Sequence, residues 1–255
     1  NASIVDVENG TVLPNRQIYI AAGKIQAINP ANSPMHLNVK VVDINNAFVM
    51  PGLVDMHTHI YDRKDLVTSL AYGVTEVRNL SGMPMHLRWR DELKRKQWLG
   101  ASLRTSSPIL DNPEHAHLLK QKVNSPAHGK QLVQRFSQQG YDLLKVYTDL
   151  DLATYNAIEQ EAKRIGMPIA KHGPYSPLSL QRGKLHGSDI RGLESVEHVE
   201  EIIQTVLDFE TDEERLTDFL NALKDSDVFL TPTLATYEHL ALISAGKEAF
   251  VDSVP

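Results

Sequence analysis

Hydrophobic and polar positions alternate differently before and after residue 50. In the first fifty residues, short apolar segments are broken by turn residues, a pattern typical of small antiparallel sheets. A segment this small is not expected to bury a core by itself, so it is predicted to pack on another element. The strands predicted here are 4–7, 17–20, 25–28 and 40–44, with a hairpin turn at 22–24.

From Pro51-Gly52 onward, short apolar strands alternate with amphipathic segments of helical length, which predicts βαβ units and a parallel sheet. A (β/α)₈ barrel takes roughly 200 to 250 residues. Only seven strands are visible, so the prediction is a distorted α/β (TIM) barrel over 51–255 that is truncated before strand eight. The strands predicted are 53–59, 74–80, 103–107, 142–147, 168–172, 195–198 and 228–233.

Boundary residues predict several helices in this region. Ser125 with Pro126 marks one helix start, and Gly140 marks its end. Asp151 is predicted to cap the next helix, and 211–214 reads as a capping box for a later one.

Composition narrows the functional classes. The chain has 255 residues, a net charge of −6 and no cysteine. It therefore offers no basic field for nucleic acid or an anionic membrane, and no thiolate metal site. No apolar stretch reaches the length of a membrane-spanning helix.

The sequence does not determine the cellular compartment or the oligomeric state, and a homo-oligomer is one of the alternatives. Because the chain begins with Asn1, we interpret it as a piece of a longer protein.

The first strand of the second region ends in His57-Thr58-His59. Because side chains alternate along a strand, both imidazoles leave the same face and can share one metal ion such as zinc. The alternative is a strand end with two unrelated surface histidines.

Other polar residues occupy equivalent strand ends. Lys145 lies near the end of the fourth strand, His172 ends the fifth and His198 the sixth. In a parallel barrel these carboxyl ends converge on the functional face. Alternation predicts that Lys145 shares a face with Leu143 and Tyr147, and that His172 and His198 share faces with Ala170 and Val196 respectively.

A lysine needs a chemical reason to bind metal, because its ammonium repels cations. Burial beside metals lowers a lysine pKa. The neutral amine can then add carbon dioxide to form a carbamate whose oxygens bridge two cations. The alternative role for Lys145 is to hold an anionic substrate.

Together these motifs resemble the amidohydrolase superfamily, in particular its imidazolonepropionase-like and prolidase-like metal-dependent hydrolases. The resemblance spans the chain and is carried by residues 51–59, 73–78, 144–147, 171–173 and 196–198. It implies a distorted barrel with a small β-sandwich, of which residues 1–50 are a segment. It also implies that His57 and His59 bind one divalent metal and that His172 and His198 bind a second, with zinc as the first choice. Carboxylated Lys145, formed with carbon dioxide, would bridge the two.

The resemblance further implies a metal-activated hydroxide that cleaves amide bonds in dipeptides or N-acyl amino acids. Tyr147 is predicted to contact the oxyanion or the substrate, or else to pack at the barrel mouth. Arg78 is predicted to pair with a substrate carboxylate, or else to form a structural ion pair. The family's strand-eight aspartate is absent here, and Asp252 is not a replacement. A mononuclear deaminase of the same superfamily and a catalytically incomplete fragment are the rival hypotheses.

Overall fold

The computed structural model describes residues 1–34, 38–114, 118–148, 150–172, 190, 192–207 and 209–246. The chain divides into two compact units, Asn1–Leu53 and Val54–Pro255. Within the described residues, none of the helices has both the length and the apolar character needed to span a bilayer.

The first unit is a four-stranded sheet in the order β3-β2-β1-β4. The predicted hairpin is confirmed: β2 and β3 pair antiparallel, and Ala22 and Gly23 between them have the positive φ angles that such tight turns use. The predicted strand at 40–44 is wrong, because a two-residue strand later in the chain takes the open edge of β1 instead. The strands are β1 (Ala2–Asp6), β2 (Thr11–Ala21), β3 (Lys24–Pro30) and β4 (Phe48–Val49).

The second unit alternates strands and helices as the hydrophobic pattern predicts. Its strands are β5 (Leu53–Thr58), β6 (Val74–Asn79), β7 (Ser102–Thr105), β8 (Ile109–Asp111), β9 (Lys120–Lys122), β10 (Leu144–Val146), β11 (Ile169–His172), β12 (Ser195–Glu197) and β13 (Phe229–Thr231). Its helices are α1 (Arg63–Ala71), α2 (Pro84–Lys94), α3 (Pro126–Gln139), α4 (Leu152–Ile165), α5 (Glu200–Thr205), α6 (Glu213–Lys224) and α7 (Leu234–Ser244).

These strands form two sheets, β5-β6-β7 and β13-β12-β11-β10-β8-β9. A single parallel bridge from Ser106 to Leu143 connects β7 to β10, so the predicted strands follow one another in chain order. The pairs β6–β7, β10–β11, β11–β12 and β12–β13 are all parallel. Among the described residues no ladder joins β13 back to β5, and closure into a barrel stays a prediction.

The helix boundaries follow from local chemistry. Ser125 caps α3 by accepting from the His128 amide, and Gly140 ends that helix in the left-handed region. Asp151 caps α4 in the same way. The capping box predicted at 211–214 is wrong: Asp212 is the N-cap of α6 and accepts from the Arg215 amide, so the third helical position carries an arginine, which cannot accept in return.

Alternation along the strands separates two apolar layers. Leu144 and Val146 pack in the large core against α3 and α4. Leu143 and Ala170 belong instead to a small separate cluster with Leu80 on the other side of the sheet. Lys145, between Leu144 and Val146, therefore projects away from the helices and into the interior of the strand series.

Candidate metal and catalytic site

The four predicted histidines lie side by side. The ring centres of His57 and His59 are 5.5 Å apart, and His57 is 4.3 Å from His198. His198 in turn is 4.7 Å from His172. Residues from strands as distant in sequence as β5 and β12 thus form one continuous row of imidazoles.

His198 joins this row by a route that alternation does not predict. Val196 packs in the helix-side core, so the shared face predicted for Val196 and His198 is wrong. The backbone of His198 has φ +74°, a left-handed conformation that is uncommon outside glycine. This turn at the end of β12 directs the imidazole to the same side as Glu197.

Glu197 is a site residue that the sequence analysis missed. Its side chain is fully buried, and its Oε2 lies 2.7 Å from Nδ1 of His57. The pKa of this carboxyl is about 2. Burial alone would raise that pKa, but the hydrogen bond to His57 and the charges of Lys145 and Arg78 outweigh it. Strand alternation could have identified Glu197, because it places Glu197 on the same face of β12 as Ser195 and on the face opposite Val196.

Arg78 is held by protein groups. Its side chain is 1% exposed and forms ion pairs with Glu197 at 2.7 Å and Glu194 at 3.1 Å. These contacts favour the structural ion pair over the predicted substrate carboxylate. Because the two glutamates lie on or beside β12, the pairs also show that side chains of β6 and β12 meet across the interior.

Lys145 is fully buried beside the histidines. Its Nζ lies 5.7 Å from the ring centre of Tyr147. Tyr147 stacks on His172 with ring centres 4.2 Å apart and an interplanar angle of 8°. The ammonium of Lys120, paired with Asp111 at 2.6 Å, lies 3.9 Å from the Tyr147 ring centre. Tyr147 is therefore fixed at the edge of the imidazole row.

Three imidazoles of the row, those of His57, His59 and His198, have lowered pKa values and are therefore neutral at pH 7. The pKa of His59 is lowered to about 4 and that of His198 to about 2, in each case by burial and by neighbouring His57, Lys145 and His172. Burial also lowers the pKa of His57, although its hydrogen bond to Glu197 opposes the shift. Neutral imidazoles are the form that binds metal ions.

Known proteins share this architecture. No protein-family model matches the chain. A segment of 78 residues is 31% identical to an adenine deaminase from Chelativorans sp. (strain BNC1), covering 31% of this chain and 13% of the deaminase. Bottromycin amidohydrolase superposes with a TM-score of 0.69 at 24% identity, over 91% of this chain and 50% of that one. The resemblance to the amidohydrolase superfamily is confirmed.

The amidohydrolase neighbours include a prolidase from Bifidobacterium longum. It superposes with a TM-score of 0.60 at 22% identity, covering 77% of this chain and 52% of the prolidase. The chain thus spans about half the length of these two solved structures.

The donor set bears on how metal could bind at this row of histidines. Within the described residues, no group of three or more His, Asp or Glu side chains is arranged to hold a metal ion. The histidines nonetheless offer neutral nitrogens, and His57 and His198 each use Nδ1 for a protein partner, which leaves Nε2. A metal bound by two of these histidines therefore needs a further ligand.

Several polar residues lie apart from this row or outside the described residues. The second His-x-His pair, His115 and His117, and the late Asp252 all lie outside the described residues. Asn79 is buried, and its amide contacts His86 and Thr105.

The lowered histidine pKa values predict how stability depends on pH. Below pH 6.5 the unfolded chain takes up protons that folded His57, His59 and His198 refuse, so the free energy of unfolding of metal-free protein falls as pH drops towards 4. Urea unfolding with a chelator at pH 7.5 and pH 5 measures this. A His59→Asn/His198→Asn variant should show a weaker pH dependence. Equal or greater stability at pH 5 would contradict the prediction.

Proposed function

We propose that the protein is a metal-dependent hydrolase of C–N bonds that cleaves amide bonds of dipeptides or N-acyl amino acids, as a prolidase does. The observation that carries this proposal is the position of Lys145. It is fully buried on the interior face of the strands, beside the row of four imidazoles, and it lowers the pKa values of His57, His59 and His198. A cation in that position disfavours protonated histidines, whereas a carbamate there would complete two metal sites.

In this proposal His57 and His59 would hold one divalent metal, and His172 and His198 would hold the second. Lys145, once carboxylated, would supply the anionic ligand that they share. Zinc is the first choice for such nitrogen ligands, although manganese, cobalt and iron also accept them. When bound, these ions would supply Lewis-acid polarisation of the scissile carbonyl and a nucleophile at neutral pH.

The chain's own residues would orient the reactants. The hydroxyl of Tyr147, whose ring stacks on His172 and lies beside the Lys120 ammonium, would donate to the substrate or to the developing oxyanion. The buried Arg78–Glu197 pair keeps the base of the site rigid. We also propose that the whole protein closes the strand series into a (β/α)₈ barrel, because Val54, Met56 and Phe229 on the two outer strands are exposed.

Deamination of a purine base is the second candidate. It is favoured by the 31% identity to an adenine deaminase over 78 residues. Both reactions add water to a carbon bonded to nitrogen, so the same row of imidazoles could serve either one.

A substrate panel separates the two. Protein loaded with zinc or manganese is assayed on Xaa-Pro dipeptides, N-acyl amino acids, adenine and guanine, and metal content is measured in parallel. We expect hydrolysis of the first two classes and two metals per chain. Turnover of adenine alone would support the deaminase. Metal binding without turnover of any of these substrates would support a catalytically incomplete fragment.

A further inference from the structure

A buried network of hydrogen bonds connects Arg78 through Glu197 to His57. Oε2 of Glu197 lies 2.7 Å from Nδ1 of His57, and Oε1 accepts from Nη2 of Arg78 at 2.7 Å. The hydroxyl of Ser195 donates to the same Oε1. Both oxygens of this carboxylate therefore have hydrogen-bond partners, and these partners fix the orientation of the side chain.

The guanidinium of Arg78 is held just as completely. An arginine has five N–H donors, and each of these has an acceptor here. The acceptors are the Met56 carbonyl at 2.7 Å, Glu194 at 3.1 Å, Ser195 at 2.9 Å, Glu197 at 2.7 Å and Thr231 at 3.2 Å. They lie on β5 and β13 and on or beside β12, so the guanidinium cannot turn without breaking contacts to several strands.

This arrangement determines which nitrogen of His57 carries the proton. An ionised carboxylate can only accept, so Nδ1 of His57 must be the donor and Nε2 keeps its lone pair. His198 is a useful contrast. Its Nδ1 lies 2.8 Å from the hydroxyl of Thr233, which can donate or accept and therefore allows either tautomer.

We propose that Arg78, Ser195 and Glu197 form a positioning relay that locks His57 in the Nδ1–H tautomer, so that Nε2 is available as a metal ligand. The metal-binding consequence rests on the proposed function, whereas the tautomer itself does not. The three relay residues are positioning residues, since their contacts with the site run through His57.

Glu197→Gln is the discriminating variant. The amide oxygen of the glutamine should face Arg78 and Ser195, which both donate, and this leaves the amide nitrogen facing His57. Nδ1 must then accept, the proton moves to Nε2, and the nitrogen needed for metal becomes blocked. The variant preserves the size of the side chain while reversing the polarity of a single hydrogen bond.

Histidine-selective ¹⁵N NMR of metal-free protein at pH 8 reads the tautomer directly. We expect Nδ1–H at His57 in the wild type, Nε2–H in Glu197→Gln, and no change at His57 in the control Thr233→Val. A wild-type His57 in the Nε2–H form or in a mixture would overturn the relay, even if the variant fails to fold. An unchanged tautomer in folded Glu197→Gln would overturn it as well.

Zinc titration of the same samples tests the metal consequence. The affinity of Glu197→Gln should fall roughly 10- to 100-fold, the usual effect of losing a partner of a metal-binding histidine. Unchanged zinc affinity despite an altered tautomer would overturn the positioning role. If the tautomers behave as expected but neither protein binds zinc, the proposed function fails while the tautomer lock stands.

Discussion

Lys145→Met is expected to lower amide hydrolysis by a factor on the order of 1,000, the size of effect seen when a preorganised electrostatic group is removed from a site. Methionine keeps the length of the side chain but cannot form a carbamate. No trio of His, Asp or Glu side chains among the described residues can hold a metal alone. The variant should therefore also lose metal, which elemental analysis and steady-state kinetics measure together.

Lys171→Met is the matched control for this change. Lys171 lies on β11 and is also fully buried, but its Nζ is 5.5 Å from the ring centre of Tyr155 on α4. It thus belongs to the helix side of the sheet, and its loss should affect stability more than metal content. Two metals and full activity in Lys145→Met would refute the bridging role.

Arg78→Met is expected to reduce the free energy of unfolding by about 3 to 5 kcal/mol, the usual cost of removing one partner from a buried ion pair. Glu197 would remain buried with its negative charge and without its guanidinium partner. Urea unfolding of the metal-free protein measures the loss and separates it from any effect of bound metal.

Arg104→Met provides the comparison. Arg104 also pairs with Glu194, at 2.7 Å, but 34% of its side chain is exposed. Solvent screens such a pair, so its removal should cost about 1 kcal/mol or less. Equal losses in Arg78→Met and Arg104→Met would show that burial of the Arg78–Glu197 pair does not govern stability here.

Much of the secondary structure could be predicted from patterns that involve only neighbouring residues in the sequence. Seven of the strands after residue 50, the ends of α3 and the hairpin between β2 and β3 follow from periodicity, capping and turn residues within a few positions of each other, whereas the short strands β8 and β9 were not predicted. The placement of His57 and His59 on one face needs only strand alternation. The predicted strand at 40–44 failed because a strand also requires a pairing partner, and β1 pairs with β4 instead.

What the sequence alone determined is thus the order of strands and helices and the polar residues at the strand ends. Tertiary structure decided the partners. Arg78 and Glu197 are 119 positions apart, and they pair because the strand series curves enough to bring β6 and β12 face to face. The imidazole of His198 reaches the site because its backbone is in the left-handed region. Alternation from Val196, which packs in the helix-side core, would instead have placed it on the helix side. Two buried lysines, Lys145 and Lys171, have different surroundings because they lie on opposite sides of the sheet. Local sequence encodes which residues alternate along a strand, whereas the curvature of the whole sheet determines what each of them meets.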